Sequence, residues 1–595
     1  MAEYLSPGVY VEEFDSGAVP MEGVSTSTAG FVGLAQRGPV EGLPQLITNV
    51  ADFGRTYGGY LSENEFGQYR FLAYAVASFF ANGGARCYVM RVAPSDAKMS
   101  SGTVGPLTIT AKNPGTWGDD ITVSFTPGSK AKTQILEIIN DGGKKKYRAK
   151  NAAGFNAGDV VAFTDGDKVT YNRIVKNQDN IITFENDYPD SIVDTNLLPE
   201  KTISTCEVTV IVKYDDQVET YENASFNIEA SNFIEKMTAK SDIVTVTFNG
   251  GAAPGAPAAP AGGDDKKDAK KAPAPAAPAA PAGIAAPMDI LKVSGLTLTG
   301  GSNGSVANIT AGDFIGVDKG AGKRTGIQAF LDNDNVSIMA VPGVTDPNVQ
   351  LTLVGHCESL ESRFAVLDCP RDAKKVDDVI AHRDIFDTQY GAMYHPWLSV
   401  FDPLDKKNIP IPPSGAVIGI YARSDNTRGV HKAPANEVVR NCVGLDVQFN
   451  KGEQDILNPK GVNLIRTFPG QGIRVWGART LSSNGLWKYV NVRRLFIFVE
   501  ESIRANTSWA VFEPNDETLW VRVRRTISVF LTNLWREGSL MGSSPEEAFF
   551  VNIGRETMSQ DDIDNGRLIC VIGIAPVKPA EFVIFRLTQK TNEAE

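Results

Sequence analysis

The sequence predicts a multidomain α/β protein with an inserted, mostly β domain and an α+β C-terminal domain. Three observations predict it. The chain has 595 residues, more than the roughly 250 to 300 over which a single hydrophobic core grows, so about two to four domains are expected. A helix-period stripe at Phe71, Leu72, Ala75, Val76, Phe79 and Phe80 runs through Asn82-Gly83-Gly84 into the apolar stretch Cys87–Val92, a helix followed by a buried strand. From about Leu107 to Phe248 the pattern changes to short β-branched and aromatic runs separated by Asp, Asn and Gly turns.

Taken in order, Ser6–Glu13 reads as a short strand after a turn, with Val9 and Val11 on one face. Thr28–Ala35 is a second strand ending at Gly38-Pro39, and Asn49 caps a short helix that closes at Gly58-Gly59. Within the β-rich region the clearest strands are Ile121–Phe125, Val208–Val212 and Ile243–Phe248. Between Gly250 and Pro287, Ala, Pro and Gly repeat around the charge run Asp264–Lys271; nothing large and apolar offsets chain entropy there, which predicts an extended, solvated linker. After it, apolar runs at Val336–Val341, Phe364–Leu367 and Ala416–Ile420 alternate with helix-like stretches such as Asp377–Phe386, a sheet covered by helices.

The strongest amphipathic signal begins near Ser482. Val492, Leu495, Phe496, Val499 and Ile503 form one helical stripe, and Leu519, Val523, Ile527, Phe530, Leu531 and Leu534 form another after Pro514-Asn515, so two helices should pack together. Leu568–Ile574 reads as a nearly continuous apolar strand, Pro576–Pro579 as a turn and Phe582–Gln589 as a final strand.

Composition narrows the function. An apolar share of 42% and an aromatic share of 9% belong to a folded protein. The net charge of −12 argues against a nucleic-acid or anionic-membrane surface, both of which need a concentrated basic face. The start, Met1-Ala2-Glu3-Tyr4, has neither a basic nor an apolar leader region, and no apolar run approaches a membrane span; synthesis in the cytoplasm is the expectation. Cys87, Cys206, Cys357, Cys369, Cys442 and Cys570 are scattered without CxxC spacing and read as buried free thiols.

A search for chemistry finds little. None of His356, His382, His395 and His431 sits in a catalytic motif, and the His356-Cys357 and Cys369 spacing fits no zinc pattern. Gly316–Thr325 resembles a phosphate-binding loop, but its first glycine is one residue too far from Gly322-Lys323, and Arg324 stands where Ser or Thr would hold magnesium. Gly300–Ser305 is a glycine turn without the context of a nucleophile elbow. No catalytic, cofactor-binding or metal-binding residue is assigned. Arg522, Arg524 and Arg525, with Arg493-Arg494 on the preceding helix, are either a solvated face or a grip on an acidic partner.

Several landmarks, in order, resemble the contractile tail sheath family of phage tails, R-type pyocins and phage-tail-like injection particles. Tyr4–Glu13 is similar to the family's opening PGVYVEE; Thr26–Gly33 with Arg37-Gly38-Pro39, Phe80–Gly84 before Cys87–Val92, and Ala111–Ile121 resemble the family's next segments. Leu298–Gly304, the stretch ending Arg324–Ile327, and Val341-Pro342-Gly343 resemble the central sheath domain, and Asn491–Leu495 through Phe512–Asp516 to the last strands resembles its C-terminal domain.

The resemblance implies a subtilisin-like α/β central domain, without the HGTH and GTSM motifs that would make it a protease. It divides the chain into an N-terminal strand arm (1–20), a central domain (21–106 and 289–480), an inserted β domain (107–248), a linker (249–288) and a C-terminal domain with a terminal strand arm (481–595). It implies a non-enzymatic subunit that stacks in helical rings around an inner tube and contracts to drive it through a target envelope, with no cofactor and no nucleotide hydrolysis. Implied partners are further copies of itself, the tube protein, and baseplate and terminal cap proteins, with no nucleic acid and no membrane insertion. Assembly is expected in the bacterial cytoplasm before the particle is released or docked. Val9, Tyr10 and Val11 at one end and Val583, Phe585 and Leu587 at the other match the family's intersubunit arms, and Arg522, Arg524 and Arg525 are candidate tube contacts. The rival function classes are a hydrolase built on the central domain and a secreted adhesin.

Overall fold

The computed structural model describes residues 21–165, 168–193, 201–249 and 286–586. They form two compact units of mixed α/β content. One comprises the chain through Ala35, Pro39–Val92 and everything from Ile309; the other comprises Gln36–Gly38 and Ala93–Asn308.

In the first unit the apolar strands Cys87–Val92, Ala29–Leu34, Ile338–Ala340, Phe364–Asp368, Gly391–His395 and Val462–Phe468 lie side by side, all parallel. Every residue of Ala29–Leu34, Phe364–Asp368 and Gly391–His395 is buried, the pattern of parallel strands covered on both faces. Antiparallel strands close both sides: Gln45–Ile47 at one edge, Gly472–Val475 and then Glu437–Val438 at the other. Local signals set the ends of the first helices. Asn49 accepts a 2.8 Å hydrogen bond from the Asp52 amide to start the helix Val50–Tyr57, and Gly83, at φ 117°, ends the helix Leu72–Asn82.

The run Ala416–Ile420, expected as an apolar stretch between helices, lies inside the helix Ser414–Arg428. Its first nine residues, Ser414–Ala422, are all buried, so the apolar ones do not form a stripe, and a five-residue apolar run then looks the same in a helix as in a strand. Two glycines let it approach the helix Leu72–Asn82. A Cβ on Gly415 would lie 2.3 Å from the Ala75 carbonyl oxygen, and one on Gly419 would lie 2.4 Å from that of Phe79. Gly415→Ala must therefore push two backbones apart. It should cost about 1–3 kcal/mol, read as a lower urea midpoint, whereas Gly355→Ala, on an open helix face, should not destabilise.

The second unit is mostly β, with two cores. A four-stranded sheet (Gln217–Ala224, Glu207–Tyr214, Thr122–Gly128, Leu296–Thr297) and a three-stranded one (Val244–Phe248, Leu107–Ala111, Ser101–Val104) enclose the first core around Leu107, Ile121, Val208 and Val244. A seven-stranded sheet surrounds the second, around Tyr147, Phe163, Ile182 and Tyr188. The strand Val160–Asp165 serves both: Val160 and Ala162 point into the first core, Val161 and Phe163 into the second.

This unit extends beyond 107–248. Ser101–Val104 pairs with Leu107–Ala111, and Leu296–Thr297 returns to pair with Thr122–Gly128, so Ala93–Val104 and residues up to Asn308 belong with the β domain. The two added strands are short and carry few large apolar residues, which is why composition placed the boundary inside them. Most of the predicted linker, residues 250–285, lies outside the described residues.

Candidate assembly site

The C-terminal part of the first unit is built on the two predicted helices, Val490–Asn506 and Glu517–Arg536. Leu495 and Val499 from one and Leu519, Val523, Ile527, Phe530, Leu531 and Leu534 from the other share a core. Asp516 caps the second helix, accepting from the Leu519 amide at 2.9 Å. Phe496 leaves the predicted stripe and packs edge-on against Trp487 at 4.8 Å. Onto this core lies a two-stranded antiparallel hairpin, Phe549–Ile553 with Cys570–Ile574. Its side chains alternate: Phe549, Val551, Cys570 and Ile572 face the core, while Phe550 and Val571 face outward. Among the described residues this sheet has two strands, so each presents an unpaired edge.

Residues 21–28 form a strap along the helix Val490–Asn506. Asn506 Nδ2 donates to the Glu22 carbonyl at 2.8 Å, and the Val24 amide donates to Ser502 Oγ at 3.2 Å. Gly23 sits where a Cβ would meet the Phe498 ring at 2.6 Å, so a larger residue there must displace that ring. The strap ends on a buried ion pair. Arg494 donates to both oxygens of Asp425, at 3.0 and 2.6 Å, and to the Thr26 carbonyl at 2.9 Å, while Thr26 Oγ1 donates to Asp425 at 2.7 Å. The Arg494 guanidinium also lies 4.7 Å from the Tyr421 ring. Burial pulls the arginine's pKa down, but the facing Asp425 outweighs it and holds the group firmly protonated.

Arg493 and Arg494 therefore do not join a partner-gripping stripe. Both are buried, Arg493 between the Tyr390 and Trp487 rings at 4.7 and 4.5 Å and Arg494 on Asp425, 69 residues away. Of the three predicted contact arginines, Arg524 donates to the Ile553 carbonyl and Arg522 stacks on Trp509 at 4.6 Å, and both remain largely exposed, as does Arg525.

At the C-terminal end the chain is pinned at Glu581 and exposed immediately after it. Arg479 Nε and Nη2 donate to the two Glu581 oxygens at 2.8 and 2.7 Å, Asn458 Nδ2 donates at 2.7 Å and Tyr489 Oη at 3.1 Å. Burial alone would raise the carboxyl pKa; Arg479 and the other donors outweigh that and hold it below the usual range. Phe582, Val583, Ile584 and Phe585 are then 71, 70, 79 and 84% exposed. The strand expected at Phe582–Gln589 is not formed over Phe582–Arg586; among the described residues no strand pairs with it. Val583 and Phe585 are thus exposed and unpaired, while Val9, Tyr10, Val11 and Leu587 lie outside the described residues.

The polar interior carries structural bonds. His356 Nε2 lies 2.7 Å from Arg363, His382 is bonded to Gln350 and His431 to Ser539, so none of these histidines pairs with a carboxylate. Burial pushes His356 down to about 3 and His395 to about 4, leaving both neutral. Asp368, which burial pushes up to about 6, accepts from the Ser414 amide and hydroxyl at 2.8 and 2.7 Å and caps the start of the buried helix. The glycine loop 316–326 is tied by Arg324 to Asp318 and Asp332. Among the described residues no cluster of three or more His, Cys, Asp or Glu side chains could hold a metal, and no helix is long and apolar enough to cross a membrane.

Residues 316–481 match the phage tail sheath protein central domain, and residues 482–590 match the phage tail sheath C-terminal domain. The chain belongs to the phage tail sheath family. Among curated sheath proteins it is 27% identical over 289 residues to the major tail sheath protein assigned to a prophage of Pseudomonas aeruginosa strain UCBPP-PA14, covering 47% of this chain and 72% of the relative. It is 25% identical over 289 residues to the tail sheath protein of Escherichia phage P2, covering 47% of this chain and 70% of the relative. In fold, this sheath chain is similar over its whole length, and over the whole of the other chain, to a sheath protein of an extracellular contractile injection system, PVC, in its contracted state, with a TM-score of 0.51 and 22% identity.

Sequence reasoning placed the helix pair and the hairpin strand, but missed both polar anchors. Glu581 lies 102 residues from Arg479 and Asp425 lies 69 from Arg494, and no local pattern signals either pairing.

Proposed function

We propose that this sheath protein is a structural subunit that polymerises as stacked helical rings around an inner tube and contracts to drive that tube through a target envelope, without hydrolysing nucleotide itself. The observation that carries the reading is the exposed apolar run Phe582–Phe585 on a chain whose C-terminal hairpin offers free strand edges. An edge strand and an apolar extended segment that a single copy leaves unsatisfied are complementary, and pairing them between copies buries both by β-augmentation. The N-terminal arm containing Val9, Tyr10 and Val11 adds a second strand, and Leu587 continues the first. Such links are main-chain hydrogen bonds, which tolerate hinging, so subunits stay joined while they slide. The energy for contraction is stored at assembly as a metastable packing, which needs no nucleotide site.

On this reading the partners are other copies, the tube protein, baseplate proteins and a terminal cap. Neither nucleic acid nor direct membrane insertion is involved, and assembly takes place in the bacterial cytoplasm. Arg522, Arg524 and Arg525 form a basic face toward an acidic tube surface, and the parallel sheet of the central domain is the subtilisin-like core stripped of its triad. The test is electron microscopy of the chain expressed alone and together with a tube protein. Long hollow cylinders support the reading; uniformly small particles in both preparations contradict it.

A further inference from the structure

We propose that Glu581 and Arg479 form a clasp that fixes where the C-terminal arm leaves the body and passes the pull of a neighbouring subunit into the central sheet. This rests on the arm reading above and adds to it a specific anchoring pair. Both carboxylate oxygens of Glu581 are engaged, each by one nitrogen of the Arg479 fork, and Asn458 and Tyr489 add one donor to each. Bidentate pairs of this kind combine strength with a fixed direction. The clasp is largely removed from water: the arginine side chain is 8% exposed and the glutamate 19%.

Arg479 is itself fastened to the sheet. Its amide donates to Asn463 Oδ1 at 2.7 Å, and Asn463 Nδ2 donates back to the Arg479 carbonyl at 2.8 Å. Asn463 belongs to the central strand Val462–Phe468 and also donates to the Met393 carbonyl on the adjoining strand at 3.2 Å. A continuous polar path thus leads from the arm's root to two parallel strands. The change is abrupt: Glu581 is held from three parts of the chain, and Phe582, the next residue, is 71% exposed. Without the clasp the free segment would begin further back, near Val577, whose amide donates to the Ser539 carbonyl at 3.4 Å and whose carbonyl accepts from Asn491. A longer tether would raise the entropic cost of docking, and tension would peel the end of the chain from the hairpin.

The test compares Glu581→Ala, Glu581→Gln and a chain truncated after Glu581, each expressed at full scale with the tube protein. For Glu581→Ala we expect a lower unfolding midpoint, because Arg479 is left largely buried without its carboxylate, together with about tenfold fewer intact sheaths on electron-microscope grids. Glu581→Gln, which keeps the size and some of the bonds, should fall between and carries the test if the alanine variant is poorly folded. If truncation abolishes sheaths while both Glu581 variants assemble and contract normally, the clasp is overturned and the arm reading stands. If the truncated chain still assembles, both fall.

Discussion

Replacing Ile584 and Phe585 by aspartate abolishes polymerisation and leaves the subunit's own unfolding midpoint within about 1 °C of the original. The two halves of this expectation come from the same fact. These side chains are 79 and 84% exposed and touch no core, so the isolated fold loses nothing, as for other surface substitutions. In the assembly, each is expected to be buried against a neighbour, worth about 1.5–3 kcal/mol apiece, and a charge in its place adds a desolvation penalty. The loss recurs at every link, so even a modest defect per contact removes long polymers. Thermal unfolding and negative-stain imaging of the same preparation check both halves. Sheaths of normal length from the double variant would show that the segment is not a link.

Asp425→Ala should destabilise the subunit by about 3–5 kcal/mol, the largest effect expected of any single substitution in the first unit. The carboxylate and Arg494 are 5 and 4% exposed at their side chains, so removing one partner leaves a guanidinium charge buried among Tyr421, Thr26 and the sheet. The end of the strap 21–28 is loosened as well, since Thr26 Oγ1 loses its acceptor. The arrangement predicts its own rescue: Arg494→Met added to Asp425→Ala removes the orphaned charge and should recover much of the loss, because a buried ion pair replaced as a whole is often neutral. Urea unfolding of the two single variants and the double variant measures the coupling. A single-variant loss below about 1 kcal/mol would mean that water reaches this pair.

How much was legible depends on where the information sits. The helices Val50–Tyr57 and Leu72–Asn82, the strand Cys87–Val92 and the two C-terminal helices carry their signals within one or two turns of chain, in apolar spacing and in Asn49 and Gly83, and they form where expected. Ala416–Ile420 was hidden because the part of the helix that holds it, Ser414–Ala422, is buried at every residue and keeps no polar face to reveal its period. The β-domain boundary was misplaced because Leu296–Thr297 owes its strand to a partner 173 residues earlier, Leu296 opposite Val123, and not to its own propensity. The inward turn of Arg493 and Arg494 was hidden for a similar reason, since charge on a helix ordinarily marks the solvent face and here Tyr390 and Asp425, remote in sequence, reverse that. At the C-terminal end the apolar run Phe582–Phe585 was visible in the sequence and read as a strand, whereas the clasp before it depends on groups at 458, 479 and 489 that only the fold brings to Glu581.

The most direct measurement is site-specific photocrosslinking from position 585 in assembled material. With a benzophenone amino acid in place of Phe585, the account predicts a ladder of covalent oligomers. Their crosslinked peptides should contain Phe549–Ile553 or Cys570–Ile574 from a different copy, identified by mixing isotopically light and heavy subunits. Well-formed sheaths whose crosslinks fall only within single chains would contradict it.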